Sequence, residues 1–258
     1  MIEEEWDEAV ISNDLVVRQR IKGYRFGLDA LLLATDLPEP GEGAVVWELG
    51  AGQGAVALSV AAREPGWEVV ALERHEGLLA ALRENIERNG SRVRALEGDV
   101  RERAALPHGV AQLVLCNPPY FNPNSRRVSE DGERACARYE LHGGLGDFAR
   151  AAAKLLAPRG VFKVIAPPER LEDVLREASS AGLGAERVRF VHDTAQASAY
   201  LCEVWCRRGG KAVLEVRAPL VVRGEDGRYT GEVASRVAGA ATRAPSEELS
   251  RRVSEARR

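Results

Sequence analysis

Between residues 43 and 192, short unbroken apolar runs alternate with stretches whose apolar residues recur every three or four positions. A run too short for a helix and apolar throughout reads as a strand covered on both faces, and the 3.6-residue period reads as an amphipathic helix. Strands are expected at 43–49, 67–73, 93–96, 111–116, 161–166 and 186–192, with an alternating seventh at 197–207. Helices are expected at 54–63, 77–89, 145–156 and 169–181, stopped in turn by Pro65, Asn89-Gly90, Pro158 with Gly160, and Gly182. Strands separated by helices of about a dozen residues predict βαβ units. The expected fold is α/β: one domain with a mostly parallel seven-stranded sheet and helices on both faces.

This core would occupy residues 44–207. Residues 1–43 read as an extension packed on it, with a strand near 15–19 and an apolar helix from Leu28. Residues 208–238 read as an appendage of one strand and a short helix begun near Thr230. Residues 239–258, rich in Arg, Ser, Glu and Ala, are expected to be a mobile tail. An apolar fraction of 45% and a charged fraction of 29% over 258 residues suit one soluble domain with a proper core. No apolar run approaches the roughly 18 residues of a membrane span. The acidic first ten residues carry no basic or apolar region of a secretory signal, so a cytoplasmic protein is expected. Cys202 and Cys206 are spaced like two metal ligands. No second Cys or His pair lies near them, and buried small residues on a strand, with no metal, are the expectation.

The first strand runs into Glu48-Leu-Gly50-Ala-Gly52-Gln-Gly54. Glycines at alternate positions let the backbone turn tightly at the strand's carboxyl end and let a ligand come close. The helix that follows offers free N–H groups to a carboxylate or phosphate. Glu73 ends the second strand, where an acid can accept both hydroxyls of a ribose, and Asp99 after the third strand can reach an adenine amino group. The loop departs from the dinucleotide pattern, because Gly54 comes one residue early. An acid before the first glycine suits a ligand with an ammonium rather than a pyrophosphate. S-adenosylmethionine, with ammonium, carboxylate, ribose and adenine, is the expected cofactor.

The fourth strand runs into Asn117-Pro118-Pro119-Tyr120, then Phe121. Two prolines forbid further helix or ladder and hold an extended turn. A strand terminator needs no polar residue before the prolines and no aromatics after them. The functional reading is a clamp for a planar amine. The Asn117 side-chain carbonyl and the Pro118 backbone carbonyl accept the two hydrogens of an exocyclic NH2, and Tyr120 stacks on the ring. Aimed acceptors stabilise the positive charge that develops as the nitrogen attacks a methyl carbon, so no strong general base is required.

Residues 48–54, Glu73, Asp99 and 117–120 resemble the motifs of class I S-adenosylmethionine-dependent methyltransferases, a Rossmann-like group, that act on planar amino nitrogens. Segment 24–34 is similar to the corresponding segment of the bacterial tRNA (adenine-N6)-methyltransferase family, as are 137–142, 168–171, 187–192 and 229–232. The match spans roughly residues 14–238. It implies N6-methylation of an adenine next to the anticodon of a valine tRNA. It also implies cofactor contacts for Glu48, Gly50, Gly52, Glu73 and Asp99, an amine clamp of Asn117, Pro118 and Tyr120 with Phe121 beside it, and packing of segment 26–30, Phe26 included, near the methionine end of the cofactor. Gly54 and Asn117 complete the expected cofactor site.

The overall charge of −3 gives no reason to expect nucleic acid, but it is an average. Residues 15–26 carry Arg18, Arg20, Lys22 and Arg25 and no acid, with Tyr24 and Phe26 interleaved; residues 207–223 carry five bases and one acid. Either stretch alone could be solvated surface. Both gain weight as RNA-binding segments if they lie on the face bearing Asn117. Residues 122–136 read either as a surface loop or as a lid over a flipped base, with Arg126 and Arg127 on phosphates. Three rivals stand beside adenine in tRNA: a protein glutamine amide, adenine in DNA, and a cofactor-binding module without catalysis. The first usually has a helical domain before the glycine loop, and only 47 residues precede Glu48 here. The second generally needs a target-recognition domain, for which the length leaves little room. The third has no need of the clamp.

Overall fold

The computed structural model describes residues 6–12, 15–21, 25–39, 41–119, 144–210 and 213–237. In chain order they form β1 (Trp6–Ser12), β2 (Leu15–Arg20), α1 (Leu28–Leu33), β3 (Val45–Leu49), α2 (Ala55–Arg63), β4 (Glu68–Glu73), α3 (Glu76–Arg88), β5 (Arg94–Glu97) and β6 (Ala111–Cys116). After the undescribed segment come α4 (Leu145–Leu155), β7 (Leu156–Ala166), α5 (Leu171–Ser180), β8 (Leu183–His192), β9 (Ala199–Arg208), β10 (Glu215–Val216), β11 (Leu220–Val221) and α6 (Gly231–Arg236).

The main sheet runs β10-β8-β9-β7-β6-β3-β4-β5, with β11 also on β8. Seven long strands are those read from the sequence, and the two dipeptide strands widen the outer edge. All pairings are parallel except those of β9, which is antiparallel to both neighbours. Strand alternation divides the core in two. Val46, Val69, Leu113 and Val161 face the side covered by α1, α2 and α3; Trp47, Val70, Val114 and Phe162 face α4 and α5. Each large side chain so buried contributes about 1.5–3 kcal/mol. β7 begins directly after α4, five residues before the expected strand, and its register on β6 slips between Ala111 and Leu113.

The acidic start was not read as a strand, yet β1 pairs with β2 as a separate two-stranded antiparallel sheet. Its other edge is satisfied by a helix. Asn89 of the α3 cap accepts from Val16 N (3.0 Å) and donates to Val16 O (2.8 Å), and Asn85 does the same with Arg18 (2.8 and 3.0 Å). Two amides thereby stand in for a missing strand, since unpaired edge groups are costly when covered. Thr230 caps α6, where the short C-terminal helix was expected: its Oγ1 accepts from Val233 N and donates to Val221 O. Among the described residues, no helix is long and apolar enough to cross a membrane.

Candidate active site

Parallel register puts Leu49 beside both Cys116 and Leu72, and Glu73 beside Glu97. The carboxyl ends of β6, β3, β4 and β5 therefore present Asn117, Glu48 with Gly50, Glu73 and Asp99 in that spatial order. This is the edge at which open α/β sheets hold ligands. A cleft opens there, lined by Phe26, Ala30, Glu48, Gly50, Gln53 and Asn117 among others.

Gly50 and Ala51 donate to Leu72 O at 2.9 and 3.0 Å, folding the glycine loop over the end of β4. Gly50, Gly52 and Gly54 all have positive φ (71°, 56° and 92°), the left-handed region that side chains resist. The loop's last glycine has a second constraint that sequence did not disclose. A Cβ on Gly54 would stand 2.4 Å from Leu82 Cδ1 of α3, so this position has to be small for helix packing as well as for its backbone angle.

The carboxylates are built in by the backbone. Glu48 is 3% exposed, and its Oε2 accepts from Ala57 N in the first turn of α2 at 2.8 Å, an acid from a strand serving an orphan donor of the helix. Burial pushes the Glu48 carboxyl well above the usual carboxylate range; the Ala57 amide opposes this and the charge of Glu73 adds to it. A buried acid of this kind is a natural partner for an ammonium. Glu73 accepts from three amides, Gly52 N (2.8 Å), Arg74 N (2.9 Å) and His75 N (2.7 Å). Burial raises its pKa and those three donors restrain the rise. Glu73 is thus the brace of the glycine loop as well as an acid at the strand end.

Asp99 is held by guanidinium groups. Arg101 Nε lies 3.0 and 3.1 Å from its two oxygens, and Arg74 Nε lies 2.9 Å from Oδ2. Arg101, chiefly through its side-chain hydrogen bonds, holds the Asp99 carboxyl below the usual range. An adenine amino group meeting Asp99 has to share it with Arg101. Glu48, Glu73 and the glycine amides offer acceptors, donors and negative charge where S-adenosylmethionine has hydroxyls, carboxylate and ammonium, so the residues present fit that cofactor.

Asn117 leaves β6 at the cleft wall, followed by the buried Pro118, and Asn117 Nδ2 donates to Asp29 Oδ2 at 2.8 Å. Asp29 was covered by the sequence only as part of segment 26–30, and its bond to a residue 88 positions away carries no sequence signal. Phe26 lines the cleft. Tyr120, Phe121, Arg126, Arg127 and Lys22 lie outside the described residues, as does the lid expected at 122–136.

The basic stretches prove to be structurally engaged. Arg18 pairs with Glu84, and Arg18 and Arg20 lie over the Trp6 ring at 4.7 and 5.5 Å from its centre. Arg207 and Arg208 sit beside Val161 and Leu156, at the amino edge of β7, opposite the edge that carries Asn117. Charge counting could not see this, because β9 runs antiparallel and carries its last residues away from the cleft. Cys202 and Cys206 are buried on β9 with burial pushing each thiol up to about 12, and among the described residues no three His, Cys, Asp or Glu side chains gather to hold a metal.

A further cluster escaped the sequence reading. Lys163 of β7 is wholly buried, and its Nζ donates to Leu32 O (3.1 Å), Leu33 O (3.2 Å) and Thr35 O (2.6 Å) at the C-terminus of α1. It also pairs with buried Glu203 of β9 at 2.9 Å. Arg236 of α6 binds both Glu203 oxygens (2.7 and 3.1 Å) and Thr35 Oγ1 (2.9 Å). The signal was available: a lysine inside a doubly covered strand needs a buried acid, and Glu203 stands in the other such run.

Residues 26–132 match the family described as Methyltransferase small domain. A tRNA1(Val) (adenine(37)-N6)-methyltransferase of Shewanella amazonensis is 31% identical over 164 residues, 63% of this chain and 69% of that protein. Another, from Dickeya chrysanthemi, is 29% identical over 216 residues, 80% and 83% of the two chains. A predicted O-methyltransferase from Agrobacterium tumefaciens shares the fold with a TM-score of 0.66 at 24% identity, covering 83% of this chain and 96% of its own. M. jannaschii TYW2, solved in complex with AdoMet, shares it with a TM-score of 0.54 at 16% identity, covering 80% and 87%. A strand-end acid, a glycine loop and an Asn-Pro-Pro turn on one cleft, in a chain of this likeness, place the protein in the tRNA1(Val) (adenine(37)-N6)-methyltransferase family.

Proposed function

We propose that this protein transfers a methyl group from S-adenosylmethionine to the N6 of an adenine in tRNA, the adenine beside the anticodon being the target by analogy with its relatives. The observation that supports this reading is that Asn117 lines the same cleft as Glu48 and Gly50 of the glycine loop, with Pro118 next to it in the chain. S-adenosylmethionine supplies the electrophilic methyl group. Glu48 receives its ammonium, Gly50, Gly52 and Gly54 shape the cradle, Glu73 accepts the ribose hydroxyls, Asp99 the adenine amino group, and Phe26 closes the wall.

On the substrate side, Asn117 Oδ1 and Pro118 O accept the two hydrogens of the exocyclic amine. Both acceptors sit where positive charge grows on the nitrogen, in a cleft partly closed to water, where such dipoles act strongly. Tyr120 stacks on the base, with Phe121 beside it. A base on a tRNA loop leaves its stack at a cost of a few kcal/mol, and stacking on one aromatic returns about 1–3 kcal/mol. Arg126 and Arg127 are assigned to phosphates, and Arg18, Arg20 and Lys22 to the substrate side, the first two alongside their contacts with Glu84 and Trp6. The work belongs to the cytoplasm, where tRNA is found.

The test is mass spectrometry of nucleosides after incubating the protein with labelled S-adenosylmethionine and unmodified total tRNA. Labelled N6-methyladenosine supports the reading, and label found only in protein replaces it with glutamine methylation. Binding of tRNA should weaken as salt rises.

A further inference from the structure

An asparagine used as an acceptor has a directional problem. Its side chain ends in one oxygen and one NH2 of almost the same shape, and only one way round offers the oxygen to an amine. At Asn117 the ambiguity is removed by Asp29. A carboxylate only accepts, so the group facing Asp29 Oδ2 at 2.8 Å has to be the Asn117 NH2, and the carbonyl oxygen is left on the side away from Asp29. A hydrogen bond to a charged acceptor is also stronger than one between neutral groups, and it draws electron density toward the amide oxygen. That oxygen then meets the growing positive charge better than an unassisted amide would.

Asp29 is itself held in place. It occupies the first turn of α1, a helix of six residues, too short to be stable alone. The far end of the same helix is gripped by two cations: Lys163 takes its last two carbonyls and that of Thr35 just beyond, and Arg236 reaches Leu32 O and the Thr35 hydroxyl. Cations suit a helix C-terminus, where the backbone dipoles leave partial negative charge. Buried Glu203 balances both. Ala30, between the two ends, lines the cleft.

The geometry points to Asp29 as the positioning residue of the amine clamp, orienting and polarising the Asn117 amide, with the Lys163–Glu203–Arg236 cluster fixing the helix that carries it. This rests on the reading of Asn117 as the clamp.

The experiment compares Asp29→Ala, Asp29→Asn and Arg236→Gln with the parent protein. It measures kcat and KM on tRNA, cofactor binding by calorimetry, and the Asn117 side-chain amide signals by NMR, identified by their loss in Asn117→Ala. Asp29→Ala should lower kcat by about 10–100-fold, the worth of one charged hydrogen bond. Cofactor Kd should stay within a few-fold, and the Asn117 signals should move. Asp29→Asn keeps an oxygen acceptor and should recover much of the loss. Arg236→Gln should lower kcat in the same direction and add little to Asp29→Ala, because both act through α1.

Unchanged kcat in Asp29→Ala would overturn the proposal. So would a variant whose only change is weaker cofactor binding, since Asp29 would then be a cofactor ligand. Full additivity with Arg236→Gln would detach the buried cluster from the clamp. If the parent protein forms no N6-methyladenosine, the functional reading fails instead, while unmoved Asn117 signals in Asp29→Ala would still refute the orienting contact.

Discussion

Asn117 and Asp29, 88 positions apart, are joined by a 2.8 Å hydrogen bond between the end of β6 and the first turn of α1. The residue best placed to hold a substrate amine is thus tied to the segment that walls the cleft. Removing the clamp while leaving that wall intact separates chemistry from cofactor binding. Asn117→Ala should reduce methyl transfer by about 100–1,000-fold, as loss of one aimed electrostatic group does elsewhere. Cofactor Kd, measured by calorimetry, should change only a few-fold.

Glu73 behaves differently, because its carboxylate braces Gly52 as well as facing the cleft edge. Glu73→Ala strips three amides of their acceptor and, on the proposed cofactor site, a ribose of its own. We expect cofactor affinity to fall at least 10-fold, from hydrogen bonds to a charged group worth about 1.5–3 kcal/mol each. Calorimetry checks the affinity. Amide exchange at Gly52 should quicken in the free protein, and an unchanged exchange rate would remove the bracing role.

Burial holds the Glu48 carboxyl well above the usual carboxylate range in the free protein. Pairing with an ammonium favours the ionised form, so binding releases a proton wherever Glu48 starts protonated. Cofactor affinity should therefore rise with pH until the free-protein pKa is passed, and level off above it. Calorimetry in two buffers of different ionisation heat, at mildly acidic pH, should show net proton release that vanishes in Glu48→Gln.

Gly54→Ala should destabilise the fold by about 1–3 kcal/mol, since it places a methyl group 2.4 Å from Leu82 Cδ1 and forces an L residue to positive φ. Thermal unfolding measures the loss. Pairing the change with Leu82→Ala should relieve the clash; a double variant with simply summed losses would mean the backbone angle alone is responsible.

Lys163→Met should cost about 3–5 kcal/mol in chemical denaturation, because it strips a buried acid of one of its cations and α1 of its terminal donor. Burial acts to raise the Glu203 pKa, but Lys163 and Arg236 outweigh it and hold the carboxyl below its ordinary value. A depressed acid contributes stability above its unfolded pKa, and that contribution disappears as pH falls through the folded pKa. The acid limb of the stability curve should accordingly be shallower in Glu203→Gln than in the parent.

The sheet could be read from sequence because its strands are covered on both faces and announce themselves as unbroken apolar runs. The acidic edge was readable for a related reason: Glu48 and Glu73 lie in the last two residues of their strands and Asp99 follows the next strand closely, and parallel strands deliver their ends to one side. Strand β1 was not readable, because Asp7 and Glu8 interrupt its pattern and its stability comes from β2, whose other edge is met by two asparagines of α3. Sequence could not place Arg207 and Arg208 for a topological reason, since only the direction of β9 decides which edge they reach. Asp29 and Arg236 act through contacts between distant positions, and local pattern holds no record of a partner; Lys163 signalled only that it needs a buried acid.

The bond from Arg236 to Thr35 spans 201 positions. The ribosome releases a chain at about 5–20 residues per second. Helix α1 is made early, yet it waits roughly 10–40 seconds for its last brace. A nascent chain that already contains the glycine loop and Asn117 still has an unfinished catalytic wall. Such a chain should become competent only once α6 is made, so fragments ending before α6 should accumulate as inactive, protease-sensitive species rather than as premature enzymes.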